Sequence, residues 1–456
     1  MGPANDEAAQ RAPGRLVVRT VAVKDPGDLI GYLPDPGGLA WVRRGDGLVG
    51  WGTAARITLP AGLDRFAAGE KWLRELFDTA RVTDEIEAPG TGPVAFGSFT
   101  FDPASDGSVL VVPRVVVGRR NGVSWLTTIG TEADQPGVPA DVTRGTAPSA
   151  GDVTRGTAPS AAGPNPSAAG RPARPVPLAQ PSGVRWADGG LSAPDWERAV
   201  ASAVAEIKSG AVRKVVLALQ LKATAAEDID SRVLLTRLAA RYPDCYTFAC
   251  AGLVGATPEL LIRREGDQVH SLVLAGTTPR GATPQADDEL GASLLASAKD
   301  LQEHHYAVAD VRAALRPLCA ELRVQPRPEL LRLANVQHLA TSVEGRLAAG
   351  DAGTPSALAV AAALHPTAAV CGTPSEAALE LIRELEGIDR GRYSGPVGWV
   401  DARGNGEWGI ALRCGQVSGR HATIFGGCGI VSGSDPATEL AEAQAKLWPM
   451  RHAIEG

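Results

Sequence analysis

Three sets of polar residues have types and spacings that could do chemistry. Glu439, Glu442 and Lys446 fall at i, i+3 and i+7 in segment 437–447, so they share one helical face, with Leu440, Ala443 and Leu447 opposite. That segment follows Phe425-Gly426-Gly427-Cys428-Gly429-Ile430-Val431 and a turn of Ser432-Gly433-Ser434-Asp435-Pro436. Two carboxylates and an ammonium just beyond a glycine-rich turn could serve as a metal and anion site. A solvated helix face with Glu-to-Lys pairing gives the same spacing and is the simpler reading on spacing alone. A second acidic pair, Asp300 and Glu303, is again i and i+3, on a helix whose Val308, Val311 and Leu315 would anchor it in a core. A hard cation such as Mg²⁺ takes carboxylate oxygens, keeps several waters and needs only one or two protein carboxylates, so one inward Glu from each of two helices would suffice. Surface pairs have that spacing too.

Lys214 opens the run Lys214-Val215-Val216-Leu217. It reads as a strand-end charge, or, if buried near another positive group, as a general base with a lowered pKa. Glu259, in Thr257-Pro258-Glu259-Leu260, starts a strand after a turn and reads equally as a solvated turn residue or a functional carboxylate. His304, His305 and His338 have no HExxH-type spacing, so capping and core roles suit them better than zinc ligation. Gly276-Thr277 and Gly426-Gly427 would let backbone N–H groups approach a carboxylate. Arg413 and Tyr393 are candidate carboxylate clamps.

The elements that must position these residues alternate between strands and helices. The chain has 456 residues, room for one large domain or two to three ordinary ones, and its formal net charge of -6 gives no reason to expect a polyanionic partner. The six cysteines form no CxxC pair and read as reduced thiols of a cytoplasmic protein. No secretory signal is expected in 1–15, which reads as a frayed tail, and no segment reaches the length of a membrane span.

Strands are expected at 16–23, 39–44, 48–51, 93–101, 108–117 and 123–129, with a helix over 63–80. This first part, 16–130, has no His and no Cys, so chemistry is expected elsewhere. Composition then shifts to Ala, Pro, Gly, Ser and Thr over 131–186, where the unit Asp-Val-Thr-Arg-Gly-Thr-Ala-Pro-Ser-Ala starts at 141 and again at 152. This reads as a disordered, duplicated insertion that only connects.

From 187 to 456 the globular pattern returns. Helices are expected at 192–210, 228–242, 284–316, 355–364 and 374–386. Strands are expected at 212–221, 246–254, 259–265, 269–277, 395–401, 408–417 and 422–426. Strand runs mixed with long helices argue for an α/β or α+β protein, with large covered β-sheets and helices outside.

Taken in order, the motifs resemble those of the chorismate-utilising enzymes, a family that includes isochorismate, salicylate, anthranilate and aminodeoxychorismate synthases. The resemblance rests on Lys214-Val215-Val216-Leu217, Thr257-Pro258-Glu259-Leu260, Leu274-Ala275-Gly276-Thr277, Lys299-Asp300 with Glu303-His304, His365-Pro366-Thr367, Arg392-Tyr393-Ser394-Gly395, Ala411-Leu412-Arg413-Cys414, Gly427-Cys428-Gly429-Ile430 and the span Glu439 through Lys446. It covers about 187 to 450. Leu364-His365-Pro366-Thr367 looks like the isochorismate synthase form, and Ala275 stands where aminodeoxychorismate synthases carry a nucleophilic Lys. Leu219 stands where relatives commonly carry Arg, a departure that implies an altered strand contact next to Lys214.

The resemblance implies the chorismate-binding-enzyme fold and a Mg²⁺-dependent isomerisation of chorismate to isochorismate, for menaquinone or siderophore biosynthesis. It implies Mg²⁺ held by Glu303 and Glu442, with Asp300 and Glu439 behind them, and Lys214 activating water while Glu259 protonates the leaving oxygen. Gly276, Thr277, His338, Tyr393, Arg413, Gly427 and Lys446 would contact substrate. The alternatives are a salicylate or anthranilate synthase-type lyase that releases pyruvate, and a silent homologue that binds chorismate without turnover. The expected partner is small-molecule chorismate, with no nucleic acid and no membrane, and a monomer is the expected state.

Overall fold

The computed structural model describes residues 14–136, 178–350 and 353–456; the repeated unit within 131–186 and most of the expected N-terminal tail lie outside the described residues. Two mostly antiparallel sheets organise these residues, one of 13 strands and one of 10. Both draw strands from either side of the low-complexity stretch. In the larger sheet Leu39–Arg43 pairs with Tyr246–Cys250, Phe248 lying opposite Trp41. In the smaller one Val94–Ser98 pairs with Pro396–Asp401, Trp399 lying opposite Phe96. The strand Arg185–Asp188, at the end of the stretch read as an insertion, pairs with Leu221 to Thr224.

One apolar cluster draws Trp41, Phe96, Phe248, Tyr393 and Trp399 from both sheets. A larger one packs helix residues such as Phe66, Trp196, Leu234, Leu358 and Leu447 onto the strands. Buried on both faces, a strand such as Val94–Ser98 has no polar alternation and is inside at every position. This is the covered-sheet α+β architecture expected from the order of elements.

Capping chemistry sets the helix ends. Ser192 accepts a hydrogen bond from the Asp195 N–H to open Ala193–Ser209, and Gly210, at φ 90°, closes it. Asp435 caps Pro436–Glu455 through the Thr438 N–H, and this helix carries Glu439, Glu442 and Lys446.

Four segments differ from the expected ones. The helix expected over 284–316 is two helices, Pro284–Ala296 and Ala298–Leu315, because Ser297 turns extended and accepts from the Asp300 N–H as a new cap. The strand expected over 246–254 is a hairpin, turning at Ala251 (φ 49°) and Gly252 (φ 81°). The runs at 108–117 and 408–417 each split into two strands that belong to different sheets: Ser108–Val112 and Val115–Arg120, then Gly406–Ile410 and Cys414–Ser418. Pro113, which lacks an N–H, interrupts the first. Arg413, at φ 48°, turns the second.

Candidate active site

The site lies where the chain passes between sheets. Glu259 sits between Leu253–Thr257 of the larger sheet and Leu260–Glu265 of the smaller; Arg413 sits on the return crossing. The crossings run side by side, since the Ala256 N–H donates to the Arg413 carbonyl (3.2 Å) and the Ile410 N–H to that of Glu259 (3.3 Å). Two residues far apart in sequence are thereby fixed at one seam.

Lys214 begins the strand Lys214–Thr224, which runs antiparallel to His421–Ile430 with Leu217 opposite Cys428 and Ala218 opposite Gly427. Its side chain is fully buried, and its ammonium lies 3.1 Å from Glu303 Oε1 without the geometry of a hydrogen bond. Gly429 makes that pair possible: a Cβ there would fall 2.2 Å from Glu303 Oε1 and 2.8 Å from Lys214 Cε. Strand alternation puts Leu219 with Val215 and Leu217 in the helix-covered core, on the face opposite Lys214 and the cleft-lining Val216. The departure at Leu219 therefore does not reach the cleft.

Glu259 is buried, and burial holds its carboxyl protonated up to about 8, against the opposing charges of Lys214, Arg413 and Lys446. Arg413 is buried too, and among the described residues its guanidinium makes no hydrogen bond or ion pair. A guanidinium fork in that position has the geometry to take a carboxylate bidentately. Tyr393 lines the same wall and stacks on Phe425, with ring centroids 4.7 Å apart.

Gly276 (φ 79°) is the extra residue of a bulge in the pairing of Gln268–Pro279 with Val336–Leu347. The bulge sets Thr277 beside His338, Oγ1 to Nδ1 3.0 Å. Among the described residues the buried His338 Nε2 has no partner, and burial followed by the charges of Arg413 and Lys446 keeps the ring neutral, well below its ordinary range. His304 is structural: it bonds the Ala275 carbonyl (3.1 Å) and Thr341 Oγ1 (2.7 Å), tying the Ala298–Leu315 helix to the bulged strand.

The four carboxylates come together from two helices. Glu442 lies 2.5 Å from Lys446, Glu439 lies 2.6 Å from Lys299, Glu303 pairs with Lys214, and Asp300 accepts from the Ser297 hydroxyl. Burial raises the Glu442 carboxyl, Lys446 opposes this, and the charges of Glu303 and Glu439 raise it further. Asp300 is likewise raised by burial and by Glu303. These acids therefore sense one another across the helix gap. Among the described residues no group of three or more His, Cys, Asp or Glu is gathered closely enough to hold a metal alone. Glu303 and Glu442, one from each helix and each beside a lysine, nonetheless supply the oxygen donors of a hard cation that fills its remaining positions with water and ligand oxygens.

Of the residues expected from sequence, Glu259, Gly276, Thr277, Glu303, His338, Tyr393, Arg413, Gly427 and Lys446 line one cleft, while Lys214, Asp300, Glu439 and Glu442 stand outside the lining and pair with or flank it. Sequence reasoning missed Lys299 as the partner of Glu439 and Gly429 as the space for the Lys214–Glu303 pair. The Lys299-Asp300 order carried a signal for the first. The lining residues Ala369 and Val370 carried none.

This fold and cleft define a small-molecule enzyme of the α+β class, its cleft lined by the protonated carboxyl of Glu259 and the cationic side chains of Arg413 and Lys446, with the buried Lys214 flanking it. Residues 167–455 match the family described as chorismate binding enzyme, and the chain belongs to that family. It is 41% identical over 271 residues to isochorismate synthase DhbC of Bacillus subtilis, covering 57% of this chain and 67% of that protein. It is also 41% identical over 287 residues to the salicylate biosynthesis isochorismate synthase of Pseudomonas aeruginosa, covering 62% of this chain and 59% of that protein. The matched span is thus about three-fifths to two-thirds of these relatives' length. The solved structure of MenF, the menaquinone-specific isochorismate synthase of Escherichia coli, superposes with a TM-score of 0.74 at 22% identity over 97% of this chain and 96% of that one, which establishes the shared fold. No helix among the described residues is long and apolar enough to cross a membrane.

Proposed function

We propose that this chain is an isochorismate synthase, adding water at C2 of chorismate and expelling the C4 hydroxyl, in the cytoplasm, for menaquinone or siderophore synthesis. The observation that carries the reading is a carboxyl on the cleft wall, Glu259, that stays protonated up to about pH 8, with a fully buried amine, Lys214, flanking the same cleft. The isomerisation needs one group to take a proton from water and another to give one to the departing oxygen.

Arg413 holds one substrate carboxylate, with Tyr393 and the Gly427 backbone alongside; a Cβ at Gly427 would lie 3.2 Å from the Tyr393 hydroxyl, so only glycine leaves that wall open. Neutral His338, fixed through Thr277, can present Nε2 to the substrate without adding charge. Glu303 and Glu442 would hold Mg²⁺, with Asp300 and Glu439 orienting its water, and the ion would supply charge neutralisation for the ring carboxylate. Lys214, its Nζ 3.1 Å from Glu303 Oε1 and without a hydrogen bond among the described residues, would take the proton from the attacking water. Lys446 restrains Glu442 and adds positive charge to the wall. Each proton transfer contributes roughly 10² to 10⁴ in rate.

Incubating the purified chain with chorismate and Mg²⁺ and separating products by chromatography tests the reading. Isochorismate without pyruvate is expected. Stoichiometric pyruvate would make the chain a lyase, and no turnover with retained chorismate binding would make it a silent homologue.

A further inference from the structure

The strand that carries Lys214 is paired along its whole length on one edge and only at its ends on the other. Antiparallel pairing with His421–Ile430 is continuous from Val215 to Thr224. On the opposite edge Gly372–Thr373 covers Lys214 and Val215, and Arg185–Asp188 covers Leu221 to Thr224. Among the described residues the backbone groups of Val216, Ala218 and Gln220 that face this gap have no strand to meet, and an open buried edge costs free energy unless something else satisfies it.

Two backbone groups and three side chains, Trp196, Glu386 and Arg390, supply what is missing. The Val216 N–H donates to the Cys371 carbonyl (2.8 Å), and the Gln220 carbonyl accepts from the Gly189 N–H (3.0 Å). The Ala218 carbonyl accepts from Trp196 Nε1 (3.0 Å). The Ala218 N–H donates to Glu386 Oε1 (2.7 Å), and the Val216 carbonyl accepts from Arg390 Nη2 (2.6 Å). Glu386 and Arg390 are 2% and 3% exposed and bind each other through two contacts, at 2.5 and 2.9 Å. Arg390 Nη1 also donates to the Val370 carbonyl (3.0 Å).

One guanidinium therefore joins the backbones of Val216 and Val370, both of which line the cleft, although neither Glu386 nor Arg390 lines it. We propose that Glu386 and Arg390 are positioning residues, a side-chain clip that replaces a missing strand and sets the Lys214 strand against the 365–371 wall of the cleft. The fork geometry is essential: a lysine can pair with Glu386 but cannot hold both carbonyls in one plane.

The test combines steady-state kinetics with hydrogen-exchange mass spectrometry on the full chain carrying Arg390→Lys, Arg390→Met or Glu386→Gln. For Arg390→Lys, kcat should fall about 10²-fold, the scale of a misplacement near 1 Å, with KM within about threefold of wild type. Exchange should accelerate in 214–218 and 368–371 and stay unchanged in 94–98 and 396–401. Glu386→Gln keeps an acceptor for the Ala218 N–H and should lie between wild type and Arg390→Lys. Should Arg390→Met fail to fold, Arg390→Lys decides. Wild-type kcat in a folded Arg390→Lys, or faster exchange spread evenly over both sheets, overturns the proposal. Its kinetic arm rests on the chorismate reading and its exchange arm does not: a wild-type chain without turnover refutes that reading, while localised exchange in the variants still supports the clip.

Discussion

Replacing Glu259 by Gln should slow the enzyme and stabilise it, and the two effects should separate with pH. With a carboxyl titrating at about 8 instead of the ordinary 4.5, about 90% of Glu259 is protonated at pH 7, where an unperturbed group would be roughly 0.3% protonated. A proton donor needs that proton, so wild-type kcat/KM should decline as pH rises through about 8. Glu259→Gln keeps the shape, cannot donate, and should lose about 10² to 10⁴ in kcat together with that alkaline limb. For stability, the native state holds a proton that the unfolded chain releases above 4.5, so this group costs stability progressively as pH rises from 4.5 to about 8, and the cost is full above that. Gln removes a cost on the order of a few kcal/mol, so the variant should gain in Tm relative to wild type between pH 5 and 9. Chorismate turnover across that range, paired with thermal melts, measures both. A variant with wild-type kcat, or one that keeps the decline near pH 8, would refute the acid assignment.

Three further outcomes follow from the same geometry. Lys214→Ala should lose about 10² to 10⁴ in kcat with chorismate binding largely intact, as read by turnover and equilibrium binding; wild-type rates would sink the base assignment. Gly429→Ala puts a methyl 2.2 Å from Glu303 Oε1, so the Mg²⁺ concentration for half-maximal turnover should rise about 10- to 100-fold, and an unchanged Mg²⁺ titration would count against Glu303 as a ligand. Arg413→Ala should weaken chorismate binding by about 1.5–3 kcal/mol, roughly 10- to 100-fold in Kd, with Arg413→Lys recovering only part because it lacks the fork; unchanged affinity would remove Arg413 from the substrate site.

What the sequence made legible was local. Ser192 and Gly210 bound their helix as capping chemistry dictates, and the i, i+3, i+7 spacing did put Glu439, Glu442 and Lys446 on one face. Periodicity could not tell which sheet a strand joins, so the runs through Pro113 and Arg413 read as single strands when each changes sheet. The crossing at Arg413, running beside the one at Glu259, is what brings those two residues together, a long-range fact with no local signature. The Ser297 break was hidden because helical periodicity resumes at once on its far side. Taken singly, the buried Lys214 and the raised Glu259 look like ordinary strand-end and turn charges; only their order with the other motifs pointed to a site. Gly429 shows the limit most clearly, since its need for a bare Cα comes from Glu303, a residue on another element.

The central claim is that water enters at C2 as the C4 hydroxyl leaves, with Lys214 and Glu259 on either side of the exchange. Running the reaction with Mg²⁺ in ¹⁸O-labelled water and analysing the product by mass spectrometry tests it directly. Isochorismate carrying one solvent oxygen at C2, with no pyruvate formed, is the predicted result; unlabelled isochorismate, or pyruvate in its place, would contradict it.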